Sequence, residues 1–278
     1  MTTQHSPGDK VIVITGANRG IGLSIAHYLQ NSGYNLIAGV RHPEKLTPQE
    51  RINGVHYFSL ELRDKKSIER FTNNIYKTAP NKIFGLINNA GVSAIGPAEE
   101  FPLENARDII DVNLLGAAAI IQQLLPLLRK GATQKTPSYI INVGSLIAEF
   151  PLPFQTIYAA SKGALRAFSL SLSSELAEHR INVTLLEPGD IATLINPTIH
   201  RIENSIYSKK LFQFQSIRKK KMSEGTAPDK VAKKILTLLS KKNPPLIAGC
   251  SSTDDLLRFI RRLLPDRLAH YLILVLRT

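Results

Sequence analysis

Val11-Ile12-Val13-Ile14 is a short, continuously apolar run of the kind that a strand buried on both faces of a parallel sheet requires. It enters a glycine-rich turn at once. Ile21, Leu23, Ile25, Ala26 and Leu29 then recur at helical spacing up to Gly33, which suits a helix closed by a glycine cap. Further strand-like runs fall at 35–40, 55–60, 83–87, 139–143 and 181–186. Helical patterns at 65–78, 103–128, 156–178 and 229–240 separate them, and Pro126 is expected to end or kink the second of these. Strands alternating with helices predict an α/β fold: one doubly wound parallel sheet, with short right-handed crossovers and helices on both faces. No linker divides the pattern, so residues 1–278 read as a single domain.

Composition adds limits. An apolar content of 43% over 278 residues supports an ordinary globular core. The first ten residues lack the charged-then-apolar pattern of a secretory signal, so the cytoplasm is the expected compartment. The apolar run from Leu268 to Leu276 is interrupted by His270 and is far shorter than the roughly 20 residues that cross a bilayer. Cys250 is the single cysteine, which excludes an internal disulfide and a cysteine metal cluster; it reads as a small inert residue. A net charge of +13 raises polyanionic partners, but its distribution is uneven. Between His200 and Lys242 there are twelve Lys or Arg against three acids, including Arg218-Lys219-Lys220-Lys221. A local cluster of this kind fits a solvated face better than a nucleic-acid site.

The turn after the first strand carries Gly16, Asn18, Arg19, Gly20, Ile21 and Gly22. Glycines there let a pyrophosphate approach the backbone, and the following helix aims its free amides at that anion. The Gly-x3-Gly-x-Gly spacing behind Thr15 resembles the short-chain dehydrogenase/reductase family. The resemblance continues through Asn88-Asn89-Ala90-Gly91, Asn113, Ser145, Tyr158-x3-Lys162 and Pro188-Gly189-x-Ile191-x-Thr193, in the family's order, and covers residues 11–193. It implies a nicotinamide cofactor, with Asn89, Ala90 and Gly91 bordering it, Pro188, Gly189, Ile191 and Thr193 near its carboxamide, and Glu61 and Leu62 near its adenine.

At the end of the second strand an acid would bind an adenosine ribose and repel a 2′-phosphate. The sequence there reads Ala38-Gly39-Val40-Arg41, with no acid, and Arg41 can pair with a phosphate as a charge-assisted fork. Arg19 supplies a second cation. NADPH is therefore the expected cofactor.

A phenol titrating near 10 is a poor acid at neutral pH unless positive charge lowers it. Tyr158 and Lys162 share one helical face, so the ammonium is expected beside the phenolic oxygen. By resemblance, Ser145 would hydrogen-bond the substrate oxygen, Tyr158 would exchange the proton, Lys162 would also hold the nicotinamide ribose, and Asn113 would anchor a relay water. No metal is implied.

The resemblance also implies a substrate lid at about 194–225. Ile195, Ile199, Ile202, Ile206, Tyr207, Leu211, Phe212 and Phe214, interleaved with lysines, read as an apolar lid with a basic outer face. Phe150, Leu152, Phe154 and Ile157 are expected to line the same cavity, which suggests a lipophilic carbonyl or alcohol such as a steroid, a retinoid or an acyl chain. Residues 251–278 read as a C-terminal amphipathic extension that packs over the substrate mouth, meets a second subunit or touches a membrane surface. A homodimer or homotetramer is implied by resemblance. The other classes are a silent NADPH-binding regulator and a basic membrane-surface module; intact Ser145, Tyr158 and Lys162 argue against the first.

Overall fold

The computed structural model describes residues 10–193, 197–200, 203–269 and 271. The chain opens with β1 (Val11–Thr15), α1 (Gly20–Asn31), β2 (Asn35–Val40), β3 (His56–Ser59), α2 (Lys65–Thr78) and β4 (Gly85–Asn88). A two-residue strand β5 (Ala94–Ile95) precedes α3 (Leu103–Ile110), a π turn at Asp111–Leu115 and α4 (Gly116–Gly131). Then come β6 (Ser138–Val143), α5 (Thr156–Leu176), β7 (Ile181–Leu186) and β8 (Thr198–Ile199). The last elements are α6 (Ser208–Ser223), α7 (Pro228–Ser240), β9 (Ile247–Ala248) and α8 (Ser252–Leu263).

Seven strands form one parallel sheet in the order β3-β2-β1-β4-β6-β7-β9, and β5 pairs with β8 apart from it. The central strands are apolar on both faces because both faces are covered. Ile12 and Ile14 pack with Ile25 and Leu29 of α1 and Ile235 and Leu238 of α7. Val13, between them, points to the opposite layer with Phe71 of α2, Leu124 of α4 and Leu172 of α5. Each such fully buried side chain contributes about 1.5–3 kcal/mol.

Three details differ from expectation. β9 is a seventh strand. The helix expected to end or kink at Pro126 does not end there but runs on to Gly131. Leu124, Leu127 and Leu128, buried on either side of Pro126, hold the helical path through tertiary packing despite the missing amide. The irregularity lies instead at Asp111–Leu115, where the π turn shifts the helical phase. The 29-residue helical stretch Leu103–Gly131 is long and apolar enough for a bilayer, at a mean hydropathy of 1.5, but its buried leucines form the core.

Candidate active site

Strand ends and the turns that follow them deliver the site. β1 runs into Gly16, whose φ of +70° is open to glycine at little cost and where a Cβ would lie 2.9 Å from the Ala90 backbone. At Gly22 a Cβ would fall 2.0 Å from the Gly16 carbonyl oxygen, so the first turn of α1 can reach the strand only without a side chain. Thr15 and Asn89 lock this cradle together. The Thr15 hydroxyl accepts from the amides of Asn89 (3.1 Å) and Ala90 (3.0 Å), and Asn89 Nδ2 donates to the carbonyls of Thr15 and Gly16, each at 3.0 Å. Arg19 stands at the N-cap of α1 and no side chain caps that terminus. The positive end of the helix dipole and its first amides are thus offered to an anion.

A cleft of about 730 Å³ opens over these strand ends. Every residue expected to touch the cofactor lines it except Gly20, whose hypothetical Cβ would meet Thr193 at 3.4 Å. Arg19 and Arg41 both reach the cleft, joined by His42 and Lys45, which the sequence reading did not single out. Glu61 also lines it. Burial pushes the Glu61 carboxyl up, but hydrogen bonds from Arg63 and the charges of Arg63 and Arg41 outweigh this and hold it below its usual range. Glu61 therefore stays anionic, paired with Arg63 at 3.2 Å.

At the other end of the cleft, Ser145 follows β6 and Tyr158 and Lys162 project from the first turns of α5. Burial raises the Tyr158 hydroxyl; hydrogen bonding with Ser145 and the charge of Arg218 oppose the shift, while Asp190 reinforces it. Lys162 Nζ donates to the Val143 carbonyl at 2.8 Å, and burial lowers it to about 8. Asn113, in the π turn, is buried below the cleft and does not line it. Its Oδ1 accepts from the Val92 amide (2.8 Å), and its Nδ2 donates to the Val92 carbonyl (2.9 Å) and to Ser161 Oγ (3.0 Å). A Cβ on Gly91 would touch both Asn113 Oδ1 and Lys162 Nζ, at 3.2 and 3.5 Å, so these three residues converge.

The segment after β7 is clasped from two sides. Arg218 of α6 donates to Asp190 through both terminal nitrogens, at 2.6 and 3.1 Å, and Thr226 bonds the Asp190 carbonyl and the Ala192 amide at 2.8 and 2.9 Å. Glu187, fully buried, takes Arg166 of α5 and Arg258 of α8, each at 3.3 Å. Burial raises the Glu187 carboxyl, and the two arginines offset this. Cys250 is an inert thiol, pushed up to about 12 by burial and the nearby Asp254.

The lid expectation is corrected in part. Leu211 and Phe214 of α6 pack inward with Ile147, Phe150, Leu152 and Phe154. Of the four residues before Tyr158, only Leu152 faces the main cleft; Phe150 and Phe154 are held in that apolar cluster instead. Ile206, in the turn before α6, is exposed, and Phe212 points outward because on the helical period it opposes the 211, 214, 218 face. Ile195 and Ile202 lie outside the described residues. Around the substrate end, Ile95, Ile147, Leu152 and Met222 mix with Gln155, with Asn105 and His200 in contact, and with the Asp190–Arg218 pair.

A glycine-cradled helix terminus and, across the same cleft, a Ser-Tyr-Lys group whose lysine is buried, at the C-terminal ends of a parallel sheet, define a Rossmann-type oxidoreductase site. The family model described as short chain dehydrogenase matches residues 10–203. The chain belongs to the short-chain dehydrogenase/reductase family. It is 31% identical to Oxidoreductase BOA17 of Botryotinia fuckeliana over 250 residues, 85% of this chain and 87% of that protein. It is 28% identical to a 3-ketodihydrosphingosine reductase of Bacteroides thetaiotaomicron over 240 residues, 85% of this chain and 86% of the other. Its fold is similar to a short-chain dehydrogenase from Streptomyces avermitilis (TM-score 0.78, 24% identity, 95% and 93% coverage). It is also similar to RhlG of Pseudomonas aeruginosa in an active-site complex with NADP (TM-score 0.73, 25% identity, 90% and 97% coverage).

Proposed function

We propose that the protein is an NADPH-dependent reductase that interconverts a carbonyl and an alcohol on a lipophilic small molecule. The observation that carries this reading is the meeting of Ser145, Tyr158 and Lys162 at one end of a cleft whose other end holds the Gly16–Gly22 cradle. The cradle, the uncapped start of α1 and the cations Arg19, Arg41 and Lys45 suit a pyrophosphate and a 2′-phosphate; the NADP complex of RhlG supports the same choice. When bound, the nicotinamide supplies the hydride. Tyr158 gives its phenolic proton to the substrate oxygen, Ser145 hydrogen-bonds that oxygen, and Arg218 opposes the rise that burial imposes on the phenol. Lys162 holds the nicotinamide ribose and, with Asn113 behind it, fixes the wall between Val143 and Gly91.

Ile95, Ile147, Leu152 and Met222 favour an apolar substrate body, and the sphingoid-base reductase among the relatives points the same way. The whole chain works as one catalytic unit with α6 as its lid, in the cytoplasm, where a lone cysteine and no disulfide are in keeping. Subunits pair as a dimer or tetramer through the Tyr-bearing helix.

Tyr158→Phe tests the chemistry. NADPH oxidation across a panel of apolar ketones and aldehydes is expected to fall by about 10²–10⁴-fold while NADPH binding by fluorescence is retained. Turnover within a few-fold of the parent enzyme would assign the acid to another residue.

A further inference from the structure

α8 is mounted with its polar side inward. Its two buried residues are Asp254 and Arg258; Asp254 closes a capping box with Ser251 and accepts from the amides of Cys250 and Ser251, while Arg258 reaches Glu187. The residues left outside are Leu256, Phe259, Ile260 and Leu263, at i, i+3, i+4 and i+7, with Phe259 60% and Leu263 69% exposed. A solvated surface helix has the reverse arrangement. Two exposed side chains beyond Pro265, Leu268 and Tyr271, carry apolar surface onward, and the sequence continues from there as Leu272-Ile273-Leu274-Val275-Leu276.

Beside this face Arg262 and Arg267 are exposed together with Asp255 and Asp266, so the excess of positive charge comes from α6. α6 adjoins it, since Leu257 packs against the cluster that contains Leu211 and Phe214. That helix has no acidic residue, exposes Lys209, Lys210, Lys219 and Lys220, and turns Phe212 outward at 65% exposure. A second copy laid on this side would bring the same cations against it and be repelled. A lipid surface with anionic headgroups would instead accept the apolar side chains to the depth of the acyl boundary and attract the lysines and arginines.

We propose that the outward face of α8, with the cationic α6 beside it, docks on an anionic lipid bilayer. The contact rests on this surface and not on the carbonyl chemistry. It would bring the lid and the substrate end of the cleft, whose apolar cluster includes Leu257, close to the bilayer.

The test is sedimentation of the full-length protein with phosphatidylcholine vesicles, with and without phosphatidylserine, at low and high salt. Binding is expected only to the phosphatidylserine vesicles, weaker at high salt. The variant Phe259→Asp/Leu263→Asp, folded as judged by an unchanged melting temperature and NADPH affinity, is expected to bind them about tenfold or more weakly. Tyr158→Phe is expected to bind as the parent does, which separates this contact from catalysis. Failure to bind phosphatidylserine vesicles at low salt overturns the proposal, as does equal binding with and without that lipid. So does a double variant that binds vesicles normally but sediments as a smaller oligomer, because the face would then be a contact between copies.

Discussion

Arg218 of α6 holds Asp190, two residues past Pro188, by two hydrogen bonds of 2.6 and 3.1 Å, and the pair lines the same cleft as Tyr158. One ion pair therefore ties α6 to the loop expected to carry the nicotinamide carboxamide. Its guanidinium is buried, so the geometry is bidentate and little screened. Replacing Arg218 by Met is expected to lower kcat/KM about 10–100-fold, with KM for substrate and for NADPH both rising. In a double-mutant cycle with Asp190→Asn, steady-state kinetics should show losses that fall short of additive by about 1–3 kcal/mol.

Lys162 should set the alkaline limit of reduction. Burial lowers it to about 8, so its charge is full below that pH and lost above, while the Tyr158 hydroxyl, raised by burial, keeps its proton. The pH profile of kcat/KM is expected to be level below about 8 and to fall beyond it. Lys162→Arg, whose guanidinium does not titrate in this range, should remove that limb even if the plateau rate drops. The same shift makes stability rise with pH between about 8 and the unfolded value of 10.5, because only the unfolded chain binds the proton there.

Cofactor choice should follow the cations of the β2 end. Arg41→Ala and Arg19→Ala are each expected to weaken NADPH by about tenfold and to leave NADH nearly unchanged, since a single charge-assisted contact is worth about 1.5–3 kcal/mol before solvent exposure reduces it. Titration of both cofactors by fluorescence measures this. Equal losses for NADH and NADPH would move the 2′-phosphate elsewhere.

Glu187 should reveal itself through stability. It is fully buried between Arg166 and Arg258, and Arg166 also pairs with Glu149. Arg258→Met removes one of two partners from a carboxylate with no access to water, and is expected to cost about 3 kcal/mol in thermal or denaturant unfolding. Glu187→Gln in the same background should restore part of the loss.

The periodicity of the chain was enough to locate the strands at Asn35–Val40 and Ile181–Leu186 and the helix at Lys65–Thr78, because burial on both faces or one leaves a clear pattern. β9, with two residues, is too short to leave any pattern, and the π turn at Asp111–Leu115 keeps ordinary helical composition. Pro126 does not end its helix, because local propensity yields to packing on both sides. Around the site, the glycines and the Ser145, Tyr158 and Lys162 trio were legible as motifs. Arg218 was not: within Arg218-Lys219-Lys220-Lys221 it reads as one more solvated cation. Its spacing from Leu211 and Phe214, seven and four residues along one helical face, was the available signal. The Lys162 contact to Val143 depends on side-chain direction, which spacing alone leaves open.

The family match ends at residue 203, yet Arg218 and Arg258 lie beyond it and anchor Asp190 and Glu187, which lie within it. The lid and tail are thus not interchangeable parts hung on a common frame. A chimera that took residues 204–278 from a relative would strand two acids at the end of β7 unless the donor carried matching arginines. In this protein, changes in the lid and in the cofactor loop are expected to be inherited together.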